Sequence, residues 1–353
     1  MRKIYSDLLL FLSIAFLIVF INFQIFQKET KIVEFSDENR VEIVEDQHYM
    51  KNDENLSEEK KKKYGHDIYL INDTPVPNGY NYHYLEQCDL SQNKSNPKMD
   101  LEKITDEWIE CSIILWQRLW NNPSAILLNF PYSFYVCDLG PQVTKNIPLV
   151  SFRTNENDVY WAVLPNCRED NVLLTLGVKP ENGAEKELLS TLDNIITIGT
   201  SPFLNNEHGI YKNFRKIAFG SSPSQKTTQI RHVTEKGDLI TETVYVENFK
   251  NYFETRVKHK KIDMLWINVE SGDFDYWNYF AEGQKFDQWG ITVCQLNIEV
   301  KIEDGEKFEK FMKPIFSSRR YLYFRPSFSH NQQFVRTYFL NINSEECIRK
   351  YLQ

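Results

Sequence analysis

Two patterns of apolar and polar positions divide the chain. From residue 171 onward, short apolar runs alternate with segments of helical period. "NVLLTLG" reads as a buried strand, "AEKELLSTL" as a helix, "IITIG" as a second strand and "RKIAFG" as a third. An inserted hairpin follows at residues 229–246, with "EKGD" as its turn. Then come "ENFKNYF" as a helix, "IDMLWINV" as a strand, "FDYWNYF" as a short helix and "GITVCQLNIEV" as a long strand. "GEKFEKFMKPIF" reads as a helix, "RYLYFRP" and "VRTYFLN" as strands, and "SEECIRKYL" as a last helix. Strand alternating with helix implies a mostly parallel sheet covered on both faces. In such sheets ligands bind beyond the carboxyl ends of the strands, where the strand order switches.

Upstream the pattern differs. In "DLEKITDEWIECSIILWQRLW", residues 100–120, Ile104, Trp108, Cys111, Leu115 and Leu119 recur at spacings of three and four, the mark of an amphipathic helix. Residues 28–65 are charged and lack a sustained apolar period, and they read as a flexible stem. Before them stands "LLLFLSIAFLIVFINFQIF", residues 8–26, long enough at ~1.5 Å per residue to cross a ~30 Å hydrocarbon layer. Arg2 and Lys3 precede it, so the N-terminus stays cytosolic and the rest is translocated. A cleaved signal peptide would need a short apolar core and a small-residue cleavage site. Here the run is long and continues into Asn22, Phe23, Gln24 and Phe26, which favours an uncleaved signal anchor.

Composition narrows the class. A chain of 353 residues with 42% hydrophobic residues and a net charge of −8 suits a globular protein. The acidic balance argues against a general nucleic-acid binder, and the lysine run at residues 60–63 sits in the polar linker. Acceptor sequons at Asn55, Asn72 and Asn93 cluster where a glycosylated stem would lie. The even set Cys88, Cys111, Cys137, Cys167, Cys294 and Cys347 would be free to pair in an oxidising compartment, in any of fifteen connectivities. No cysteine or histidine spacing suits zinc.

Candidate chemistry lies at the strand ends. Gly177 closes the first strand, with Gly183 and Glu185 after it; a single glycine there fits a ligand-approaching turn or an ordinary strand end equally well. At the end of the second strand, where a carboxylate usually takes both ribose hydroxyls of a nucleotide, stands Ser201, which lacks the charge. The run Met264 to Ile267 fits a central strand and puts Asn268 and Glu270 at its carboxyl end, where Glu270 has the chemistry of a general base. Glu270, Asp273 and Asp275 also suit the acidic first turn of a helix.

Taken in order, these segments resemble the FkbM-type methyltransferase family, in the branch much expanded in nematodes, over roughly residues 171–352. "LLTLGVKPENGAEKEL" is similar to the family's first-strand segment, "GTSPFLNNEHGIY" to its G-A-D-P…N…L-Y segment and "KIAFGSS" to its A-V-G strand. The most specific parts are "IDMLWINVESGDFDYWNYF" and "GITVCQLNIEV", which resemble I-D-x-L-x-I-D-x-E-G-x-E and C-Q-x-N-x-E. The resemblance implies an α/β fold of the class I methyltransferase type, with a mostly parallel seven-stranded sheet, an antiparallel end and helices on both faces. It also implies S-adenosylmethionine as donor and O-methylation as reaction. Carried onto this chain, the cofactor positions are Leu176, Gly177, Ser201 and Asn268, and the catalytic ones Asn268 and Glu270.

The departures fall on polar positions. Ser201 stands where the family has Asp, Asn268 where it has the Asp of I-D-x-E-G, Ser271 for its Gly, Asp273 for its second Glu and Lys301 for a frequent histidine. Gly177, Glu270, Asn297 and Glu299 are retained. Loss of the ribose carboxylate removes hydrogen bonds worth ~1.5–3 kcal/mol each.

Three expectations result. The first is a single-pass type II membrane protein of the secretory pathway, with residues 1–7 cytosolic, 8–27 the anchor, 28–65 the stem, 66–170 an N-terminal extension and 171–353 a methyltransferase-like domain. It would methylate a glycan or small hydroxylated acceptor. The second is a pseudoenzyme of the same topology, a luminal binding domain. The third is a Golgi glycosyltransferase, since "DFD" at residues 273–275 has the spacing that holds a divalent metal against a sugar-nucleotide diphosphate.

Overall fold

The computed structural model describes residues 74–88, 101–120, 122–139, 142–155, 158–204, 209–220, 226–233, 239–268, 279–329 and 333–352. The expected anchor and stem, the three sequon asparagines and residues 269–278, which carry Glu270, Ser271, Asp273 and Asp275, lie outside these.

A short 3-10 turn at Tyr82–Tyr84 precedes α1 (Leu101–Gln117), α2 (Pro123–Asp138) and the single turn α3 (Val143–Asn146). The hairpin β1 (Leu149–Arg153) and β2 (Val159–Val163) leads into β3 (Asn171–Leu176), α4 (Gly183–Thr191) and β4 (Ile195–Thr200). Next are the short β5 (Asn213–Arg215) and β6 (Ala218–Gly220), then β7 (Lys226–Val233), β8 (Leu239–Asn248) and α5 (Phe249–Tyr252). The chain continues with β9 (Lys261–Ile267), α6 (Lys285–Gln288), β10 (Thr292–Lys301), α7 (Gly305–Ser318), β11 (Tyr321–Phe328), β12 (Phe334–Asn341) and α8 (Glu345–Tyr351).

Seven strands form one sheet in the order β11-β12-β10-β9-β3-β4-β5. It is mixed, where the alternation of strand and helix suggested a mostly parallel sheet: β12 runs antiparallel to both neighbours, β10 and β11. The two closing strands follow each other with too short a connection for a parallel crossover, so they pair as a hairpin. The strands β3 and β9 are buried on both faces, as central strands with continuous apolar runs must be.

Alternation along each strand sorts the core into two layers. Leu174, Leu176, Leu265, Ile267, Leu296 and Ile298 face one way and share a core with Trp108, Trp116, Phe130, Phe308 and Phe311 of α1, α2 and α7. Leu173, Met264 and Trp266 face the other way, against Ala184 and Leu188 of α4 and Val150, Phe152, Tyr160 and Ala162 of the β1–β2 hairpin. Helices therefore cover one face, whereas the other is shared between a helix and a hairpin contributed by the region before residue 171.

"RKIAFG" divides into two strands. β5 joins the main sheet beside β4, and β6 pairs with β8 in a separate three-stranded sheet with β7. All six cysteines pair: Cys88 with Cys167, Cys111 of α1 with Cys137 of α2, and Cys294 of β10 with Cys347 of α8.

Candidate functional site

The sheet brings Leu176, Gly177, Ser201 and Asn268 to one rim, at the carboxyl ends of β3, β4 and β9. The Asn268 amide N–H donates to the Leu176 carbonyl (2.8 Å), and the Gly177 and Val178 N–H groups donate to the Thr200 carbonyl (2.9 and 2.8 Å). Gly177 has φ +81°, a left-handed conformation that only glycine adopts freely, and there the chain leaves the strand. The fifth expected residue, Glu270, is not among the described residues.

Side chains from distant parts of the sequence fill this rim. The Tyr160 ring stacks on Trp266 at 4.2 Å and 19°, and its hydroxyl donates to Asn268 Oδ1 (2.9 Å). Asn268 Nδ2 donates to the Gly177 carbonyl at 3.4 Å, so the amide is engaged at both ends. Ser201 Oγ accepts from the N–H groups of Phe203 (3.4 Å) and Leu204 (3.2 Å), spending the oxygen in its own turn. The Tyr211 ring lies over Gly199, so close that a Cβ there would meet it at 2.7 Å.

Charges complete the closure. Glu299 accepts from Lys179 Nζ (3.0 and 2.8 Å) and pairs with Arg336, which also donates to Asp158 Oδ2 at 2.9 Å. Lys179 follows β3 and Glu299 stands on β10, so their ion pair spans the end of β9 between them. Burial works against the Arg336 charge, but Tyr160, Glu299 and Asp158 outweigh it and hold the guanidinium protonated beyond its ordinary range. Burial raises the Tyr160 phenol well above its usual value. Burial also pushes Glu185 up to about 7, against the opposing hydrogen bonds of its own backbone N–H and the Tyr211 hydroxyl.

The space left at Tyr160, Asn268, Asn297, Glu299 and Arg336 is about 150 Å³ and holds no room for a water molecule. Small-molecule sites ordinarily enclose ~300–1,000 Å³. The space at this point is below that range. A larger hollow of about 480 Å³, lined by Tyr82, His83, Arg168 and Asp193 among others, lies at the amino ends of β3 and β4. That is the wrong edge for a ligand in an α/β sheet.

The C-Q-x-N-x-E stretch has a legible role in this arrangement. Asn297 Oδ1 accepts from the Trp161 N–H (3.0 Å) and its Nδ2 donates to the Trp161 carbonyl (2.9 Å). Gln295 repeats the pattern two residues earlier with the N–H (2.8 Å) and carbonyl (3.1 Å) of Val163. Two side-chain amides thus serve β2 as a neighbouring strand would, and they lay the hairpin across the sheet. Asp263, from the "ID" of the β9 motif, is also structural here. Its carboxylate accepts from Lys350 Nζ (2.7 Å), the Tyr351 hydroxyl (2.9 Å) and the Val172 N–H (2.9 Å) at the amino end of the sheet.

Sequence reasoning missed Tyr160, Lys179, Tyr211 and Arg336. The available signal was indirect: Gln295, Asn297 and Glu299 are polar at alternate positions of an otherwise apolar buried strand, which requires polar partners above that face.

No family model matches the chain, and no solved structure does. An uncharacterized protein of Caenorhabditis elegans is similar to it, 24% identical over 216 residues, which takes in 59% of this chain and 67% of that protein.

Proposed function

We propose that residues 171–352 form a class I methyltransferase-type domain whose cofactor mouth is closed by side chains of the same chain, Tyr160 of the preceding β1–β2 hairpin among them, and that it acts as a binding domain without methyl transfer. Counting β3 as the first strand, the sheet runs 3-2-1-4-5-7-6 with the seventh antiparallel, the order of class I methyltransferase sheets. The observation that carries the reading is the Tyr160 hydroxyl on Asn268, with the ring stacked on Trp266, where a donor would lie. The complete pairing of the six cysteines supports an oxidising compartment, hence a lumen-facing domain behind the anchor, with a glycan or small hydroxylated molecule as partner.

Calorimetric titration of the purified chain with S-adenosylmethionine and S-adenosylhomocysteine tests this. No heat of binding is expected up to about 1 mM. A dissociation constant in the micromolar range overturns the closed-mouth reading.

A second reading, S-adenosylmethionine-dependent O-methylation, is favoured by Gly177, whose left-handed turn at the strand switch is the feature a cofactor-cradling loop needs. Its test is the chain carrying Ser201→Asp and Asn268→Asp. Donor binding gained only by the double variant supports lost chemistry, whereas binding by the unmodified chain supports retained chemistry.

A further inference from the structure

The hollow at the amino ends of β3 and β4 is walled by the 3-10 turn at Tyr82–Tyr84 with the residues after it, by residues 168–170 and by residues 193–194. These walls are fastened to one another. Cys88 is bonded to Cys167, the Cys88 N–H donates to the Arg168 carbonyl (3.1 Å) and the Arg168 N–H to the Glu86 carbonyl (2.6 Å). The Tyr82 hydroxyl donates to the Glu169 carbonyl and accepts from the Glu169 N–H (3.0 Å) and from Asn171 Nδ2 (2.9 Å). The Asn171 N–H donates to the Asn194 carbonyl (3.3 Å), which ties in the start of β4.

Polar groups in the hollow are held in place and only partly used. Arg168 Nη1 donates to the His83 carbonyl (3.2 Å). Gln87, in the amide orientation that satisfies both of its polar atoms, accepts from Arg168 Nε (3.1 Å) and Nη2 (3.2 Å). A guanidinium has five N–H groups, so one is left on each terminal nitrogen. His83 pairs with Asp193. The Asp170 carboxylate and the Asn194 side-chain amide line the hollow with no hydrogen bond or ion pair among the described residues. Among those residues no aliphatic side chain lines it, which disfavours a lipid, and its carboxylates outnumber its cations, which disfavours an anion. Arg168 in the wall disfavours a cation. A neutral molecule whose groups both donate and accept, as hydroxyls do, matches what is left. The hollow has about 480 Å³ of open space and, unlike the carboxyl rim, room for water, so a ligand enters by displacing water alone. The amino edge is the wrong one for a cofactor that needs helix N-termini, but a hydroxylated ligand needs only fixed donors and acceptors, and rigid walls lower the ordering cost of binding.

Resting on the binding-domain reading above and naming its ligand, we propose that this hollow takes a neutral sugar. Asp170 accepts from the ring hydroxyls, and Asn194 and the spare Arg168 N–H groups bridge their oxygens.

Saturation-transfer NMR of the purified chain with mannose, galactose, glucose and N-acetylglucosamine tests the site, before and after enzymatic removal of N-glycans. At least one sugar is expected to bind with a dissociation constant of about 0.1–5 mM. Binding that appears only after removal assigns the hollow to the chain's own glycan, and binding already present before it assigns the hollow to a sugar from elsewhere; both support the site. Asp170→Ala and Asn194→Gly change exposed side chains, and glycine keeps the backbone at φ +55°. Each is expected to weaken binding about tenfold, while Gln288→Leu leaves it unchanged. No binding of any of the four up to about 20 mM in either form, or equal affinity in wild type and both variants, overturns the proposal. Binding weakened by Asn268→Ala but not by Asp170→Ala places the sugar at the carboxyl rim, which overturns the hollow and leaves the binding-domain reading standing. Micromolar binding of S-adenosylmethionine sinks the closed mouth, and the sugar titrations still decide the hollow.

Discussion

Replacing Asn297 by Leu tests how the β1–β2 hairpin is held on the sheet. The side chain keeps its size, but the Trp161 N–H and carbonyl lose partners at 3.0 and 2.9 Å in a region buried between hairpin and sheet. The backbone cannot be mutated away with the side chain, so both polar groups are left bare. Each buried unpaired group costs about 1–3 kcal/mol, which sums to about 2–6 kcal/mol. Against a total stability of about 5–15 kcal/mol this is a large share, and it corresponds to a fall of roughly 5–15 °C in Tm for a domain of this size. Urea denaturation with the disulfides intact measures it. Gln288→Leu, which removes an exposed hydrogen bond to the Gly283 carbonyl, is the control and should change stability by less than about 0.5 kcal/mol. A loss for Asn297→Leu no greater than that of the control would refute the strand-mimic role.

Asp263→Ala leaves the Lys350 ammonium buried with 1% exposure and should cost about 3–5 kcal/mol by denaturation, whereas Asp263→Leu with Lys350→Met should recover most of it. Equal losses in the single and double variants would count against that account. Gly199→Val forces a Cβ onto the Tyr211 ring at 2.7 Å and should lower Tm; adding Tyr211→Ala should restore part of the loss, and no restoration would argue that the contact is not the cause. Glu185, raised from 4.5 to about 7 on folding, contributes stability that is fully present below about pH 4.5 and lost as pH rises through about 7. Tm should therefore fall over that window by an amount equivalent to about 3 kcal/mol, and Glu185→Gln should flatten the profile; a wild-type Tm that rises across the window would reverse the sign.

The strands of the main sheet were legible because their burial is written locally. "NVLLTL" and "KIDMLWI" are mainly apolar runs of strand length, "TVCQLNIEVK" alternates apolar and polar positions, and the structure places β3, β9 and β10 on them. α2 was not legible: "PSAILLNFPYSFYVCD" is apolar on nearly all sides, so it offers no helical period to detect. β1 and β2, "LVSFR" and "VYWAV", were not read as strands from the sequence.

The sequence by itself determined which residues end the central strands, and so that Leu176, Gly177, Ser201 and Asn268 share a rim, because strand ends follow from local apolar patterning. What occupies that rim was decided by tertiary structure alone. Tyr160 reaches Asn268 across 108 positions, and Tyr211 meets Glu185 across 26, with no local signal to announce either pairing. The physical reason is that a buried polar group fixes the need for a partner but not its address. Here the addresses are set by a hairpin that two side-chain amides lay across the sheet.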